Sequence, residues 1–483
     1  MYEVTDKMLE LEKEYKLNSI EIDGFHPWTY ARVLIFQYFH LTQRTIPVSL
    51  KEILSTCFSN SLSIMRMLFR KTRLNISEVD ILLTTIGRRY LADGVYEDYI
   101  TDCVASAFDK SVTLEHPNRF DHFAPAKTKN LIYSDKIMLK SYIKSLAQRF
   151  LRTKKYKYIN NKVIQSFILP LDKLFGGVNA DTCRWVDWMT LQYFVYKSQY
   201  DDYASILKRM SPKVIVENCH PRMDNMIINE IAKKMKIPTI ELQHGVFYTI
   251  SPDYCYNQDE KIPQFPDMMF IYSDYMRKYC AKAPIANDKI FSVGYPYFER
   301  QLKCFKNTAK QISDKKTIVF LSQPMKANIN FDKLAVDFNN AMKSKDWKVV
   351  FKLHPMEYDN WRAHYPALLN TSIEVVDSPA KKTLHEIFAE SSALIGISST
   401  AIYEGIGFGL AAFIYNVPGS EHIQDLCKEG FAVNISNCEE LCNAVNSLKE
   451  NFVSRCHELF KPNAIENMKE IIMPMLREKN GNE

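Results

Sequence analysis

The chain has 483 residues, of which 46% are hydrophobic and 24% charged, with a formal net charge of +6. The length exceeds one ordinary hydrophobic core and implies more than one domain. The composition excludes a disordered chain, and so mild a basic excess argues against a pan-basic surface for nucleic acid. The eleven cysteines are scattered, odd in number and lack a C-x-x-C pair. Cys219, Cys304 and Cys438 therefore read as reduced thiols, not parts of a disulfide framework. The opening MYEVTDKMLELEKEYKL is charged and has no apolar signal core, so a cytoplasmic protein is expected.

In chain order, residues 1–76 lack good strand candidates and read as a helical appendage, with WTYARVLIFQYF at 28–39 its most apolar piece. From 77 the pattern changes to short β-rich runs: VDILLTTI (79–86), SVTLEH (111–116), NLIYSD (130–135), KVIVENC (213–219), PTIELQHG (238–245), MMFIYSD (268–274) and KIFSVGY (289–295). Helical patterns such as MDNMIINEIAKKMK (223–236) separate them. Such alternation predicts parallel βαβ units. Residues 136–212 interrupt the rhythm as a helical insertion. Within 137–157, Lys140, Lys144, Arg149, Arg152, Lys154, Lys155 and Lys157 interleave with Leu, Phe, Ile and Tyr. That mixture suits either a solvated helix face or peripheral contact with an anionic membrane. SIMRMLFRKTR (63–73) has a similar character.

After the polar NTAKQISDKKT (307–317) the rhythm restarts with TIVFLSQ (317–323), KVVFKLHP (348–355), SIEVVD (372–377), ALIGISS (393–399), AAFIYNV (411–417) and FAVNIS (431–436). Two helical segments, 438–452 and 463–479, close the chain. The expected organisation is an appendage over 1–76, a Rossmann-like domain over 77–305 with the insertion 136–212, and a second Rossmann-like domain over 306–483. The run 393–417 carries one charge, Glu404, and is long enough to span a membrane. Its Ser398-Ser399-Thr400 break and its spaced glycines instead predict a buried strand–turn–helix–strand unit.

Open parallel sheets gather function in loops at the carboxyl ends of their strands. Three such loops stand out. Lys352-Leu353-His354-Pro355 ends a strand; its Lys and His can neutralise and hydrogen-bond phosphate oxygens, or the His is an ordinary turn residue. Ser398-Ser399-Thr400 leads into a helix whose free N–H groups suit an anion, or the hydroxyls only cap that helix. Glu404, one turn on, can reach ribose hydroxyls or a base. His244 in ELQHG precedes Gly245 and can act as a base near neutrality, or simply hold the loop. Glu115, Glu217 and Asp224 compete for the base role. Arg88, Arg89 and Arg222 are candidates for an anionic acceptor, and Ser322 and Gln323 for the nucleotide. Glu115-His116-Pro117 and His220 are further strand-end residues.

Taken together, KLHP and SST in one half and QHG in the other resemble the GT-B glycosyltransferases of bacterial surface polysaccharide synthesis. The HP turn followed by a Ser/Thr pair resembles the sialyl- and Kdo transferases. HG with HP also resembles the teichoic acid polymerases, and GYPYFE (294–299) resembles the G-x-P segment of this superfamily. The resemblance implies two doubly wound domains facing a cleft. The second would bind a nucleotide-sugar through Lys352, His354, Pro355, Ser398, Ser399, Thr400, Glu404, Ser322, Gln323 and Gly294. The first would bind a glycan or lipid-linked acceptor, with His244 as general base. The two acids before a glycine that sialyltransferases carry are reduced to Asp93-Gly94 or Asp23-Gly24. No D-x-D occurs, which disfavours the metal-dependent GT-A class, so neither a metal nor a cofactor is expected. P-loop and dinucleotide-binding glycine motifs are absent. Rival readings are a CDP-polyol phosphotransferase, a sugar-nucleotide 2-epimerase and a non-catalytic carbohydrate-binding scaffold.

Overall fold

The computed structural model describes residues 2–40, 58–70, 79–92, 94–118, 120–247, 251–257, 260–309, 316–324, 329–378, 381–448 and 455–478. Lys71–Arg73, Asp93, residues 310–315 of the polar stretch and 449–452 of the penultimate helical segment lie outside the described residues. The chain forms two compact units. One comprises Met1–Ile271, Arg277–Phe291 and Ile465–Glu483; the other comprises Tyr272–Met276 and Ser292–Ala464.

The first unit holds β1 (Ile81–Thr85), β2 (Arg89–Ala92), β3 (Val95–Asp98), β4 (Ser111–Glu115), β5 (Leu131–Tyr133), β6 (Val214–Asn218), β7 (Thr239–Leu242), β8 (Met268–Ile271) and β9 (Ile290–Ser292). Seven of these form one sheet in the order β5-β4-β1-β6-β7-β8-β9. Its registered pairs are parallel. β1, β4, β6, β7 and β8 are buried along their whole lengths, which is why they read as unbroken apolar runs and not as alternating ones. The antiparallel hairpin β2–β3 has no such run. It turns at Gly94 with φ 78°, and the sequence reading passes over it.

The N-terminal helices and the insertion belong to the same core as this sheet. Met8, Leu11, Trp28 and Ile35 cluster with Ile159, Phe167 and Trp185 of the insertion and with Leu82 and Val112 of the strands. The insertion is three helices, Asp135–Phe150, Lys154–Phe175 and Ala180–Met210. The last is opened by Asn179, whose side chain accepts from the N–H groups of Asp181 and Thr182, as a helix N-cap should. A buried ion pair ties the N-terminal helices to a later loop. Arg32 lies 2.9 Å from Glu12, donates to the Cys255 carbonyl at 2.9 Å and stacks 3.8 Å from the Tyr256 ring centre. Of the basic residues in 137–157, Lys140 pairs with Asp202, Arg149 with Asp187 and Lys155 with Asp23.

The second unit holds β10 (Thr317–Leu321), β11 (Lys348–Lys352), β12 (Glu374–Val376), β13 (Ala393–Gly396), β14 (Ala411–Tyr415) and β15 (Val433–Ile435). They form a parallel sheet in the order β12-β11-β10-β13-β14-β15. The glycine-rich run 393–417 is β13, the helix Thr400–Gly407 and β14. A Cβ on Gly405 would overlap Leu394 of β13, and one on Gly407 would overlap Phe298. These glycines therefore set how closely the helix approaches its neighbours. Among the described residues no helix is long and apolar enough to cross a membrane.

Gly294 is the most constrained glycine. Its φ is 101°, and a Cβ there would overlap the Lys461 carbonyl oxygen and crowd Ala464. Gly294→Ala should cost more than about 2 kcal/mol of stability, because strain and overlap act together. Chemical denaturation with an unchanged m-value would register it.

Candidate active site

Each sheet has one point where the chain order reverses. In the first unit the chain runs outward from β1 to β5 and restarts at β6, so the reversal lies between β1 and β6. In the second it lies between β10 and β13. Loops leaving the carboxyl ends of these strands cannot close over one another, and ligands of open α/β sheets bind there.

At the second unit's reversal the predicted donor residues come together. Gln323 Oε1 accepts from the Ser398 N–H at 3.0 Å and from its hydroxyl at 3.1 Å, stitching the loop after β10 to the loop after β13. Ser322 Oγ donates to Glu357 at 2.5 Å and accepts from the His354 N–H at 2.8 Å. Ser322 thus shapes the KLHP turn from beneath. Pro355 holds His354 extended (φ −66°, ψ 142°), as a following proline requires. His354 Nδ1 accepts from the Met356 N–H at 3.2 Å, so the ring proton resides on Nε2, a free-standing donor. Burial lowers the His354 pKa further, keeping the ring neutral. Lys352 is buried and donates to the Leu353 carbonyl at 2.9 Å and to the Tyr358 hydroxyl at 2.8 Å. Burial pulls its pKa down to about 8 against the attraction of Asp377. Ser399 caps the helix Thr400–Gly407 by accepting from the Ala401 N–H at 3.2 Å.

Two predicted donor residues have other tasks. Glu404 is buried and bonded to His385 at 2.7 Å. Gly294 is required by the chain passing at Lys461–Ala464.

At the first unit's reversal, His244, Glu217 and His220, all expected from the sequence, belong to a larger cluster centred on Glu241. Glu241, which ends up beneath the loop after β7, is fully buried. It accepts from the His220 ring at 2.8 Å and backbone N–H at 3.2 Å, and from the Tyr254 hydroxyl at 2.7 Å. His244 Nδ1 lies 3.6 Å away, close enough for charge attraction but too far for a hydrogen bond. Burial alone would raise the Glu241 pKa, but His220 and His244 hold it well below the carboxylate range. Beside it on β6, Glu217 pairs in register with Glu241. Burial and the Glu241 charge push its pKa well up, so it stays protonated. Burial opposes the charge of His244, yet Cys219 and Glu241 outweigh it and lift the pKa to about 10. Cys219 has a left-handed backbone, φ 69°, a conformation uncommon outside glycine.

Several predicted residues are occupied elsewhere. Arg89 is buried and donates to Glu115 at 2.5 and 2.8 Å, to Asp102 at 3.2 Å and to Thr128 at 2.9 Å. It fastens the β2–β3 hairpin to β4 and offers no group to an acceptor. Glu115 also bonds His122 at 2.6 Å; burial lifts its pKa to about 7 against Arg89. Arg222 is held by Asp224 at 2.5 and 3.1 Å. Asp224 also meets His116 at 2.7 Å, and despite burial Arg222 and His116 keep its pKa well below the carboxylate range. Arg88 stays half-buried, with Tyr99, Cys219 and Asp98 as its neighbours. Of the three arginines it is the one left at the reversal point.

No protein-family model matches this sequence, and comparison with curated proteins finds no match. Solved structures do. The UDP-GlcNAc 2-epimerase from Methanocaldococcus jannaschii superposes with a TM-score of 0.51 at 13% identity, over 82% of this chain and 99% of that one. A UDP-GlcNAc 2-epimerase from Neisseria meningitidis, bound to UDP-GlcNAc, gives 0.46 at 10% identity, over 82% and 100%. A wall teichoic acid polymerase gives 0.45 at 12%, over 89% and 98%. The first likeness is one of fold, and it matches the expected GT-B type with two Rossmann-like, doubly wound units.

The electrostatics of His244 oppose the base role expected from the sequence, because a base must start deprotonated. Its imidazole should remain charged throughout the neutral range in a ¹⁵N-detected NMR titration. Its charged form supports folding fully below the unfolded value of about 6.5, and that support fades as pH rises toward about 10. Glu241→Gln should move the titration downward.

Proposed function

We propose that the chain is a metal-independent transferase that moves a sugar from a nucleotide-activated donor to a glycan or lipid-linked glycan acceptor in surface polysaccharide synthesis. One observation supports this most. Lys352, the Nε2–H of His354, the capped start of the helix at Thr400 and the stitched Ser398 loop stand at one strand-order reversal. Fixed donors aimed at a leaving phosphate can stabilise its developing charge without a metal. Lys352 retains enough positive charge near neutrality to join them, and an arriving phosphate would raise its pKa.

In the first unit, His244 offers a positive charge and a hydrogen bond to a substrate oxygen while keeping its proton, and the proton lost by the acceptor hydroxyl leaves with the departing nucleoside phosphate. Glu241 maintains that charge, and His220 and Tyr254 orient Glu241. Arg88 is the remaining cation for an anionic acceptor. A second reading, the sugar-nucleotide 2-epimerase, draws on the fold likeness to a UDP-GlcNAc 2-epimerase. Product analysis separates the readings: a new epimer formed without any acceptor means epimerase, whereas transfer requires acceptor. Polyol phosphate transfer from a CDP donor would appear in the same assay.

A thermal-shift panel of CMP, CDP, UDP, GDP and TDP tests the donor site. A ligand at about 100 times its Kd should stabilise by about 2.7 kcal/mol. His354→Ala should weaken the responding nucleotide by about 1.5–3 kcal/mol, the worth of a hydrogen bond to a charged group. Unchanged affinity would reject the site. Affinity in the native chain should also fall as pH rises past about 8, where Lys352 loses its proton. Activity should survive EDTA. His244→Ala should lower turnover by about 10²–10⁴ with nucleotide affinity near that of the native chain. If His244 acts as the charged donor, kcat/KM should fall at high pH; a rise through neutrality would restore the base role.

A further inference from the structure

The helix Ser61–Phe69 turns an apolar face outward. Leu62, Met65 and Phe69 are 71%, 53% and 79% exposed, and Phe58 just before them is 85% exposed. Their spacing places them along one side of a helix, while Met67 on the other side is fully buried. The helix is therefore fastened to the unit by one face and leaves the other unpartnered among the described residues. Single exposed apolar residues are ordinary, but a contiguous row of large ones marks an interaction surface.

The neighbouring helix Asp135–Phe150 packs against it, with Arg70 bonded to Asp135 at 3.3 Å. Its outward side alternates cations and apolar groups: Lys136, Lys140, Ile143, Lys144 and Phe150 are all exposed. Charge on this segment is lopsided. Residues 136–171 contain nine Lys and Arg and no Asp or Glu. Removing those nine from the 62 basic residues leaves 53 against 56 acidic ones, so the net positive charge of the whole chain resides in this segment. Asp202 neutralises Lys140, but Lys136 and Lys144 have no acid on their own helix face.

We infer that this two-helix face docks on an anionic lipid surface, with Leu62, Met65 and Phe69 entering the headgroup boundary and Lys136 and Lys144 meeting lipid phosphates. Helices with apolar tips flanked by cations suit a bilayer, where burial and attraction to anionic lipid add. The inference does not depend on the donor reaction, and its test involves neither nucleotide nor acceptor.

Flotation of the full chain with vesicles of phosphatidylcholine alone, or mixed with phosphatidylglycerol, decides it. The native chain should float with the mixed vesicles at low salt, weaken at high salt and stay down with phosphatidylcholine alone. The Leu62→Ser, Met65→Ser, Phe69→Ser triple variant should lose at least about tenfold in affinity. Lys136→Glu with Lys144→Glu should lose both affinity and salt dependence. Thermal melts of each variant verify the fold, and single substitutions replace any that fails to fold. Three results overturn the inference: a native chain that stays down, a triple variant that floats like the native chain, or a native chain that dimerises through this face, losing the dimer in the triple variant, without binding vesicles.

Discussion

Parallel pairing governs where this molecule can place its chemistry. Each crossover returns the chain to the end of the sheet where the strands start, so every strand delivers its last residues to the opposite end. Buried strand interiors tolerate almost no polar side chains, and the polar residues accumulate at the carboxyl ends. There they must find partners or pay a desolvation cost. The two units meet this demand differently. In the second, Gln323 and Ser398 satisfy one another across the reversal, and Ser322 satisfies the His354 backbone. Such side chain–backbone stitching leaves donors of the loops, such as His354 Nε2, facing outward. In the first, the polar groups are carboxylates and imidazoles, and they satisfy one another by ionising.

That second solution has consequences for proton chemistry. Glu217 and Glu241 lie on neighbouring strands in register, too close for both to ionise in a dry site. The hydrogen bonds from His220 and Tyr254 decide which one does. Glu217 has only Asn229 as a donor, at 2.9 Å, and its other oxygen has no hydrogen-bond partner among the described residues. It therefore keeps its proton. Together with Cys219, the charge on Glu241 keeps His244 protonated. Removing Glu241 would change the protonation of His244 and Glu217 together, although it is itself too deeply buried to touch a substrate.

The central strands were legible because burial on both faces writes them as continuous apolar runs, and each run singled out in the sequence is a strand of one of the two sheets. The β2–β3 hairpin was not, because its register depends on Arg89 reaching Glu115 and Asp102, partners distant in sequence. The same blindness governs the site. A charged residue looks like a ligand-binding group until its partner is seen; Arg89, Glu115 and Glu404 each have a partner on another element, and Arg222 is held by Asp224 two residues on. Looking just beyond the strand ends located His244, His354 and Ser399. Glu241 escaped because it lies within the strand, three residues before His244, where an inward carboxylate is legible only once His220 and Tyr254 are known to converge on it.

Charge is arranged differently at the proposed anion site and on the proposed lipid-facing helices. At the second unit's reversal, positive character comes from one half-desolvated lysine, a neutral imidazole donor and backbone N–H groups, a set suited to a small anion that arrives and leaves. Burial weakens Lys352, so it would hold an anion less tightly than a fully charged lysine would. On the helices of residues 136–171 the cations are long, exposed and interleaved with apolar tips, a set suited to many weak contacts over an area. Dispersed contacts of the second kind are screened by salt and tolerate loss of single residues, whereas loss of one fixed donor at the first is felt directly. The first stands at the strand ends of one unit's sheet, and the second on inserted helices of the other unit whose inner faces belong to that unit's core.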